Sequence, residues 1–464
     1  MADQGVHIGE HPRYWAYDGE PTLLLGGSSQ DNLFQVPGVE HQLDRIAEAG
    51  GNYVRNTMSA RNRRESVLRW GADNVWPFER VRGSAGPTAE YDLDRWNDAY
   101  WDRFESFVEA CAMRDIVVQV EVWATFDYYR QPWDENPFNP PNNVNYSLEE
   151  SGLYEEVTTS PTGVAPDTQP FFYSVPAELD LATLREYQHR FVDKVLAHAT
   201  PYGNVLYCLD NETSAPPTWS AYWADYLHDA TEERVYVTEM LWEEDAEHPQ
   251  HDATVDDPAR YDSLEASQNS KIVGREHYEN GLRFREHASD PPRPVNNVKI
   301  YGTGDGTQIN FTGSEHDAVH RFWRNIFAGH AAARFHRPPY GIGINARAER
   351  MLRSARDVEA AVDLLTCEPR PDLLELERVA GTAPEADGPD APDEAYLLAD
   401  PGEMYAVYFP RGGGATLQAP SVESCRWYDV EGCDWHDEDA VEPASDGAVS
   451  LRAPYERQWV AVLE

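Results

Sequence analysis

Apolar and polar positions alternate in a regular way from about Thr22 to Leu365. Short apolar runs of strand length are separated by longer stretches in which apolar residues recur at helical spacing. Strands that alternate with helices form a parallel sheet covered by helices, so the pattern predicts an α/β fold. Eight such runs favour a closed (β/α)8 barrel, the TIM barrel. The predicted strands are residues 22–26, 53–58, 117–123, 205–209, 235–240, 262–267, 295–301 and 333–336.

Helices are predicted between these strands, with caps expected at Ser314 and near Asp92 to Asp94. A doubly wound open sheet is the alternative topology. No glycine-rich phosphate loop follows the first strand, however, since Gly26 and Gly27 begin only a tight turn. The predicted helices are residues 40–49, 94–112, 181–198, 218–230, 315–329 and 346–365.

The C-terminal part of the chain follows a different pattern. A stretch rich in Pro, Asp and Ala at 381–393 is followed by short alternating segments separated by glycine-containing turns. Such segments are typical of a small β-sandwich. We therefore predict a barrel domain at 1–368 and a C-terminal β-sandwich domain at 369–464.

The chain is strongly acidic, with 81 Asp and Glu residues, 38 Lys and Arg residues and a formal net charge of −43. Lysine occurs only at Lys194, Lys271 and Lys299. Self-repulsion destabilises such a chain at low ionic strength, whereas about 1 M salt screens charges beyond roughly 3 Å. The composition predicts a protein from a salt-rich environment, with an ordinary acidic protein as the alternative. Nucleic acid and anionic membranes are disfavoured partners because phosphate binding needs clustered cations.

The five cysteines are too few and too scattered for a disulfide framework or a zinc site, although Cys425 and Cys433 could pair across a hairpin. Residues 1–14 contain no apolar leader, and no apolar run approaches the about 18 residues of a membrane span, which predicts a cytoplasmic protein. Zinc-protease, P-loop and nucleophile-elbow motifs are absent from the sequence. We expect no cofactor and no metal, and the oligomeric state stays open.

The most informative segment is the predicted fourth strand with the residues that end it, Asp210, Asn211 and Glu212. A carboxyl at the C-terminal end of a barrel strand stands at the barrel mouth, where burial can raise its pKa enough for general acid catalysis. The neighbouring asparagine could bind a sugar hydroxyl. A helix cap or a solvated turn is the alternative interpretation of this pair.

Asn211 and Glu212 at the end of the fourth strand resemble the Asn-Glu acid/base motif of the large retaining clan of TIM-barrel glycoside hydrolases. The segments 23–28, 51–59 and 322–329 resemble the apiosidase-like group of that clan. Segments 394–399, 405–410 and 426–429 resemble the collagen-binding-type β domain that follows such barrels. The resemblance implies a carbohydrate substrate and a catalytic role for Glu212.

One departure from the clan concerns the seventh strand. Members of the clan carry their nucleophilic glutamate at its end, a place that Val298 or Lys299 occupies here. A lysine cannot serve as the glycosyl acceptor in a double displacement, which needs two carboxyls about 5 Å apart. Three explanations follow: another strand supplies the second carboxylate, Lys299 binds an acidic sugar, or the barrel has lost hydrolysis and only binds glycans.

Glu239 is the first choice for a second carboxylate, followed by Glu265, Glu121 and Asp127. A separation of roughly 6.5 to 9.5 Å from Glu212 would predict inversion of the anomeric centre. Glu239 could instead pair with an arginine at the barrel rim. Glu121 could form a buried salt bridge with Arg55, and Lys299 could be an ion-pair partner of one of these carboxylates.

Several other residues at predicted strand ends suit sugar binding. Aromatic rings can stack on pyranose faces, and neutral polar side chains can bind hydroxyl groups. Together with Arg55, Asp127 and Lys299, the candidate substrate-binding residues are Asn211, Asn56, Trp123, Gln268, Asn297, Tyr301 and His336.

The leading hypothesis is a glycoside hydrolase that cleaves O-glycosidic bonds of a poly- or oligosaccharide, with Glu212 as general acid/base and Glu239 as second carboxylate. The alternative is a carbohydrate-binding pseudoenzyme that lacks the seventh-strand nucleophile.

Overall fold

The structure is a computed structural model. It describes residues 5–60, 74–83, 89–160, 168–232, 234–303, 313–377, 394–436, 439–441, 443–445 and 447–464. All statements below concern these residues.

Eight parallel strands form the central sheet, in the order β5-β4-β3-β2-β1-β8-β7-β6. Nearly every residue of these strands is buried, as expected for parallel strands covered on both faces. The strands are β1 Leu24–Gly27, β2 Tyr53–Thr57, β3 Val117–Ala124, β4 Val205–Thr213, β5 Tyr236–Leu241, β6 Leu264–Glu265, β7 Val295–Ile300 and β8 Ala332–Phe335.

The two ends of this sheet meet between β5 and β6. The backbone N–H of Asp262 donates to the carbonyl of Val237 (2.8 Å), and the hydroxyl of Thr238 donates to the carbonyl of Ser263 (2.8 Å). These bonds bring the sheet to a nearly closed barrel, which confirms the predicted TIM-barrel fold. β6 has two residues, whereas the predicted sixth strand spans 262–267. Side-chain hydrogen bonds beside β6 take the place of a regular backbone ladder there.

Seven helices of ten or more residues cover the strands. They are α1 Val39–Glu48, α2 Asp98–Ala112, α3 Ala182–Ala199, α4 Pro217–Thr231, α5 Gly274–His287, α6 Glu315–Phe327 and α7 Ala346–Glu359. The expected cap at Ser314 is confirmed, since Ser314 and Asp317 form a reciprocal capping box. The expected cap at Asp92 to Asp94 is wrong, because strand Glu90–Trp96 pairs there with Phe78–Arg82 and α2 begins only after it.

Small antiparallel sheets flank the barrel. The N-terminal strands Val6–Ile8, Trp15–Tyr17 and Glu20–Thr22 form one of them, so Thr22 lies outside β1. The C-terminal region forms two more. The first contains Glu368–Pro369, Tyr396–Asp400, Met404–Phe409, Trp459–Leu463, Ser424–Asp429, Asp434–Trp435 and Asp439–Ala440. The second contains Leu374–Leu376, Gly414–Gln418 and Ala448–Arg452.

The two C-terminal sheets share a hydrophobic core that includes Val407, Leu417 and Trp459. The opposite face of the larger sheet packs on the barrel, where Tyr408 stacks on Trp323 of α6 with ring centroids 5.5 Å apart. All five cysteines are free thiols. Within the described ranges, no helix is both long and apolar enough to cross a membrane.

A buried ion pair joins the barrel to the larger C-terminal sheet. Arg324 of α6 pairs with Glu394, and the hydroxyl of Tyr396 accepts from Arg324 Nε (3.0 Å) and donates to Glu394 Oε2 (3.0 Å). Both charged side chains are almost fully buried.

We expect Arg324→Met to lower the free energy of unfolding by about 3–5 kcal/mol, because Glu394 would keep a buried charge without its cation. Urea unfolding in molar KCl measures this loss. The matched control is Arg370→Met, since Arg370 pairs with the exposed Asp372 and should contribute less than about 1 kcal/mol. Equal losses in the two variants would contradict this role of the interface pair.

Candidate active site

The pairing of β4 with β5 shifts register twice near the C-terminal end of β4, so β4 contains two extra residues there. Asn211 and Thr213 pair with the consecutive residues Met240 and Leu241 of β5, so Glu212 lies in a β-bulge. Glu212 has a φ of 60°, in the left-handed region that non-glycine residues rarely adopt. Neighbouring side chains of a regular strand point to opposite faces. The bulge breaks this alternation and lets Asn211 and Glu212 contact the same group.

That group is the ammonium of Lys299 on β7. Lys299 Nζ donates hydrogen bonds to Asn211 Oδ1 and Glu212 Oε1. Because β4 and β7 are not neighbours in the sheet, this contact spans the barrel interior. Lys299 is 2% exposed and Glu212 is 6% exposed. The structure thus brings together three residues that the sequence indicated separately.

The ion pair sets the charge of Glu212. Burial on its own would raise the pKa of Glu212, but the Lys299 ammonium and a hydrogen bond from Gln268 hold that pKa below its usual value. Burial lowers the pKa of Lys299, and Glu212 opposes this shift. Glu212 is therefore ionised near neutral pH in the free protein. A general acid must carry a proton, so Lys299 has to release Glu212 before it can act as one.

A second ionic network lies beside this pair. Arg55 forms a bidentate salt bridge with Glu121, in which one contact is 2.7 Å, and also contacts Asp31 Oδ1 at 2.7 Å. The other oxygen of Asp31 accepts from Arg337 Nε at 2.6 Å. A salt bridge between Arg55 and Glu121 was the alternative to a catalytic role for Glu121 that the sequence suggested. Arg55 also stabilises the carboxylate of Glu212 electrostatically.

Tyr301 and His336 line the same region. Their rings meet edge to face, with centroids 5.2 Å apart. Burial and the nearby charge of Glu212 raise the pKa of Tyr301 well above its usual value. Burial lowers the pKa of His336 well below its usual value, although Asp31 lies 3.9 Å from its Nδ1. Both rings are therefore neutral at physiological pH and can take part in neutral hydrogen bonds.

Glu239 lies on β5 and contacts α4. Its carboxyl is hydrogen-bonded to Ser220 of α4, and its Oε1 has no hydrogen-bond partner among the described residues. Burial raises the pKa of Glu239 to about 8, with a smaller contribution from the charge of Asp210. Asp210 accepts hydrogen bonds from the backbone and hydroxyl of Thr125 (2.9 and 2.6 Å), and burial raises its pKa to about 7.

Glu265 belongs to a polar layer deeper in the barrel. Gln119 accepts a hydrogen bond from the hydroxyl of Tyr53 (2.6 Å) and donates one to Glu265 Oε2 (2.9 Å). Burial raises the pKa of Glu265 to about 7, although Ser267 and Gln119 stabilise its charge. Since Glu265 pairs with Asn296 in the ladder, it stands below the level of Lys299 on β7.

The other predicted sugar-binding residues have protein partners. Asn56 accepts a hydrogen bond from the backbone N–H of Phe34 (3.1 Å), and Asn297 donates one to the carbonyl of Ala266 (3.2 Å). Asp127 accepts from a serine hydroxyl in the loop after β2. Trp123 is 2% exposed and packs in an aromatic cluster with Tyr128, Phe138, Phe171, Phe191 and Trp223. This position makes Trp123 a packing residue in the free protein.

The sequence interpretation did not single out Asp31, Arg334 or Arg337. Asp31 is the anion that joins Arg55 to Arg337, and it lies only four residues after β1. An acidic residue so close to a strand end was a usable signal. Arg334 follows the alternation of β8 into the interior, where it donates to the carbonyl of Val298 (2.5 Å) and to the hydroxyl of Ser28.

No metal-binding arrangement occurs among the described side chains. No group of three or more His, Cys, Asp or Glu residues within those ranges could hold a metal ion.

No family model matches the sequence, and no curated protein matches it either. Solved structures with a similar fold include proteins named glycoside hydrolases. A glycoside hydrolase family 5 protein from Bacteroides vulgatus is 12% identical with a TM-score of 0.61, covering 99% of this chain and 93% of that chain. A second structure named glycoside hydrolase is also 12% identical, with a TM-score of 0.59 and coverage of 100% and 97%.

A maltogenic α-amylase from Thermotoga neapolitana is 12% identical with a TM-score of 0.54, covering 95% of this chain and 98% of that chain. The chain thus shares the TIM-barrel fold of these solved structures. Similarity at this level of identity concerns the fold. The chemistry has to be argued from the residues of this chain.

We expect Lys299→Met to lower the free energy of unfolding by about 3–5 kcal/mol at pH 8, because Glu212 would remain buried without its cation. In this variant burial raises the folded-state pKa of Glu212 above its unfolded value. The loss is therefore largest above the folded-state pKa and shrinks as the pH falls toward 5. Urea unfolding of the variant and the wild type at both pH values measures the difference.

The double variant Lys299→Met/Glu212→Gln removes both charges and should recover much of the lost stability at pH 8. A loss of the same size in the single and double variants, independent of pH, would mean that the lysine side chain stabilises the barrel by packing alone.

Proposed function

We propose that the protein is a glycoside hydrolase that cleaves O-glycosidic bonds in a poly- or oligosaccharide, with Glu212 as its acid/base residue. The observation that carries the proposal is the bulge at the end of β4. It directs both Asn211 and Glu212 to the barrel interior at the strand end, where TIM-barrel enzymes place their catalytic groups. A non-glycine residue in a left-handed conformation at a strand end is a typical feature of functional sites.

Within this proposal, Asn211 binds a substrate hydroxyl next to the scissile bond. Gln268, Tyr301 and His336 supply further neutral hydrogen-bonding groups around Glu212. The second carboxylate remains a prediction. Glu239 has a raised pKa and an unbonded oxygen, and its contacts with Ser220 place it beside α4.

Glycan binding without hydrolysis is the second candidate function. It is favoured by the contact between Lys299 and Glu212, because a lysine stands where a nucleophilic carboxylate would be needed and keeps Glu212 ionised. In that case the barrel would hold a sugar through the same residues and leave its bonds intact.

Three further assignments belong to the proposal. The chain is proposed to be similar to the apiosidase-like group of the clan, and the C-terminal β domain at 369–464 is proposed to complete the fold by packing on the barrel. The acidic, lysine-poor composition supports a cytoplasm rich in salt as the place of action.

We expect the wild type to hydrolyse members of a panel of aryl glycosides and acidic oligosaccharides in molar KCl, and Glu212→Gln to lower kcat at least about 100-fold, the usual range for loss of a general acid. The release of aryl alcohol and reducing sugar measures turnover. The control is Glu149→Gln, which makes the same chemical change at an exposed residue.

Glu239→Gln belongs to the same experiment. A comparable loss of kcat would support Glu239 as the second carboxylate, whereas unchanged turnover would leave it a structural residue. If neither the wild type nor any variant turns over a broad panel while sugar binding persists, the hydrolase proposal is wrong and the binding function takes its place.

A further inference from the structure

We propose that the sugar bound in this barrel carries a negatively charged group, a carboxylate or a sulfate, and that this group binds the ammonium of Lys299. The inference deepens the proposed function and rests on it, since it names the substrate class of the same site. It is argued from the contacts of Lys299, from the distribution of charge and from the effect on Glu212.

One N–H donor of the Lys299 ammonium has no acceptor among the described residues. An ammonium group can donate three hydrogen bonds. Two of them go to Asn211 and Glu212, and no third acceptor lies within hydrogen-bonding distance among the described residues. A buried charged donor that is not fully satisfied is energetically costly, so an additional acceptor at this point stabilises the site. An oxygen of an anionic sugar is such an acceptor.

The barrel interior has a charge balance unlike that of the rest of the chain. Four cations, Lys299, Arg55, Arg334 and Arg337, lie near the carboxylates of Glu212, Glu121, Asp31 and Glu265. Even with Glu265 fully ionised, these four carboxylates only balance the four cations, whereas the chain as a whole has a net charge of −43. Asp210 and Glu239 add two carboxyls nearby, and burial raises their pKa to about 7 and about 8, which favours their uncharged forms. The surroundings of Lys299 are therefore much less negative than the chain as a whole.

Because lysine is rare in this chain, the position of a lysine inside the barrel is informative. Lysine occurs three times in the whole sequence, and one of the three is buried at the centre of the barrel. Arg334 adds a second buried cation, whose hydrogen bonds are to the carbonyl of Val298 and the hydroxyl of Ser28. The charge of Lys299 is paired with Glu212, whereas Arg334 contributes positive charge to the barrel interior without a bonded carboxylate.

An anion at Lys299 also changes Glu212. The incoming oxygen accepts a hydrogen bond from Lys299 Nζ and competes with Glu212 Oε1 for the ammonium. Once its cation is shared, Glu212 is left with burial as the dominant influence, which favours its protonated form. The proton comes from solvent, and Glu212 then holds it at the position from which a glycosidic oxygen can receive it.

The test measures binding to two variants in which turnover is expected to be at least about 100-fold slower, Glu212→Gln and Lys299→Met/Glu212→Gln. The probes are 4-nitrophenyl glucuronide and galacturonide, the matched glucoside and galactoside, and the glucoside 6-sulfate, each in both anomeric forms. Isothermal titration in 0.5 M and 2 M KCl gives the dissociation constants. Both variants lack the buried carboxylate at position 212, so neither leaves an unpaired anion in the barrel.

In Glu212→Gln, Lys299 has lost its carboxylate, so an anionic probe should bind at least about tenfold more tightly than its neutral counterpart, the order expected for one charge-assisted hydrogen bond. In the double variant this preference should disappear. Lys194→Met in the Glu212→Gln background is the matched control, because it removes the same charge from α3, where Lys194 lies over Trp101. This control variant should still bind the anionic probes more tightly than the neutral ones.

Equal binding of anionic and neutral probes to Glu212→Gln, or a preference that persists in the double variant, would overturn the inference. Binding of uronides alone identifies a carboxylate as the group, and binding of the 6-sulfate alone identifies a sulfate. If the wild type hydrolyses neutral glycosides through Glu212 and no anionic preference exists, the proposed function stands while this inference fails. If no glycoside of either kind is hydrolysed, the proposed function fails whatever the binding results.

Discussion

The contact of Lys299 with Asn211 and Glu212 ties the two sides of the barrel interior together, and the properties of the site depend on it. A buried ammonium and a buried carboxylate are each costly to remove from water, and each makes the other tolerable. The same contact is possible only because the bulge turns two consecutive residues of β4 toward the interior. Backbone geometry, ion pairing and the charge state of Glu212 are therefore parts of one arrangement.

A buried ionic network beside this contact holds the surrounding side chains in place. Asp31 joins Arg55 to Arg337, and Arg55 is held on its other side by Glu121. Every member is buried, so removal of one side chain would leave the remaining charges unpaired in surroundings that cannot solvate them. Such networks fix side chains in one geometry, which the proposed binding of a sugar ring requires.

The barrel could be predicted from the sequence because most of its strands are apolar runs, although the sixth strand is only Leu264–Glu265. The position of Glu212 followed from the end of the fourth strand. Helix α5 could not be predicted, since its sequence is highly polar and contains two glycines, of which Gly281 lies close to His330. The hairpin before α2 was mistaken for a helix start because its aspartates also suit a cap. An ion pair of Lys299 with a carboxylate was expected, but its contacts with Asn211 and Glu212 could not be predicted, because strand alternation does not reveal a bulge.

Lys299 on β7 gives this site electrostatics opposite to those of a site with two carboxylates. A second carboxylate beside Glu212 would repel its charge and raise its pKa, which prepares an acid before any substrate arrives. Lys299 has the opposite effect and keeps Glu212 ionised until the ammonium is engaged elsewhere. Protonation of Glu212 then depends on what binds to Lys299. A site of this kind couples the charge of its ligand to the readiness of its acid, a dependence that two carboxylates alone do not provide.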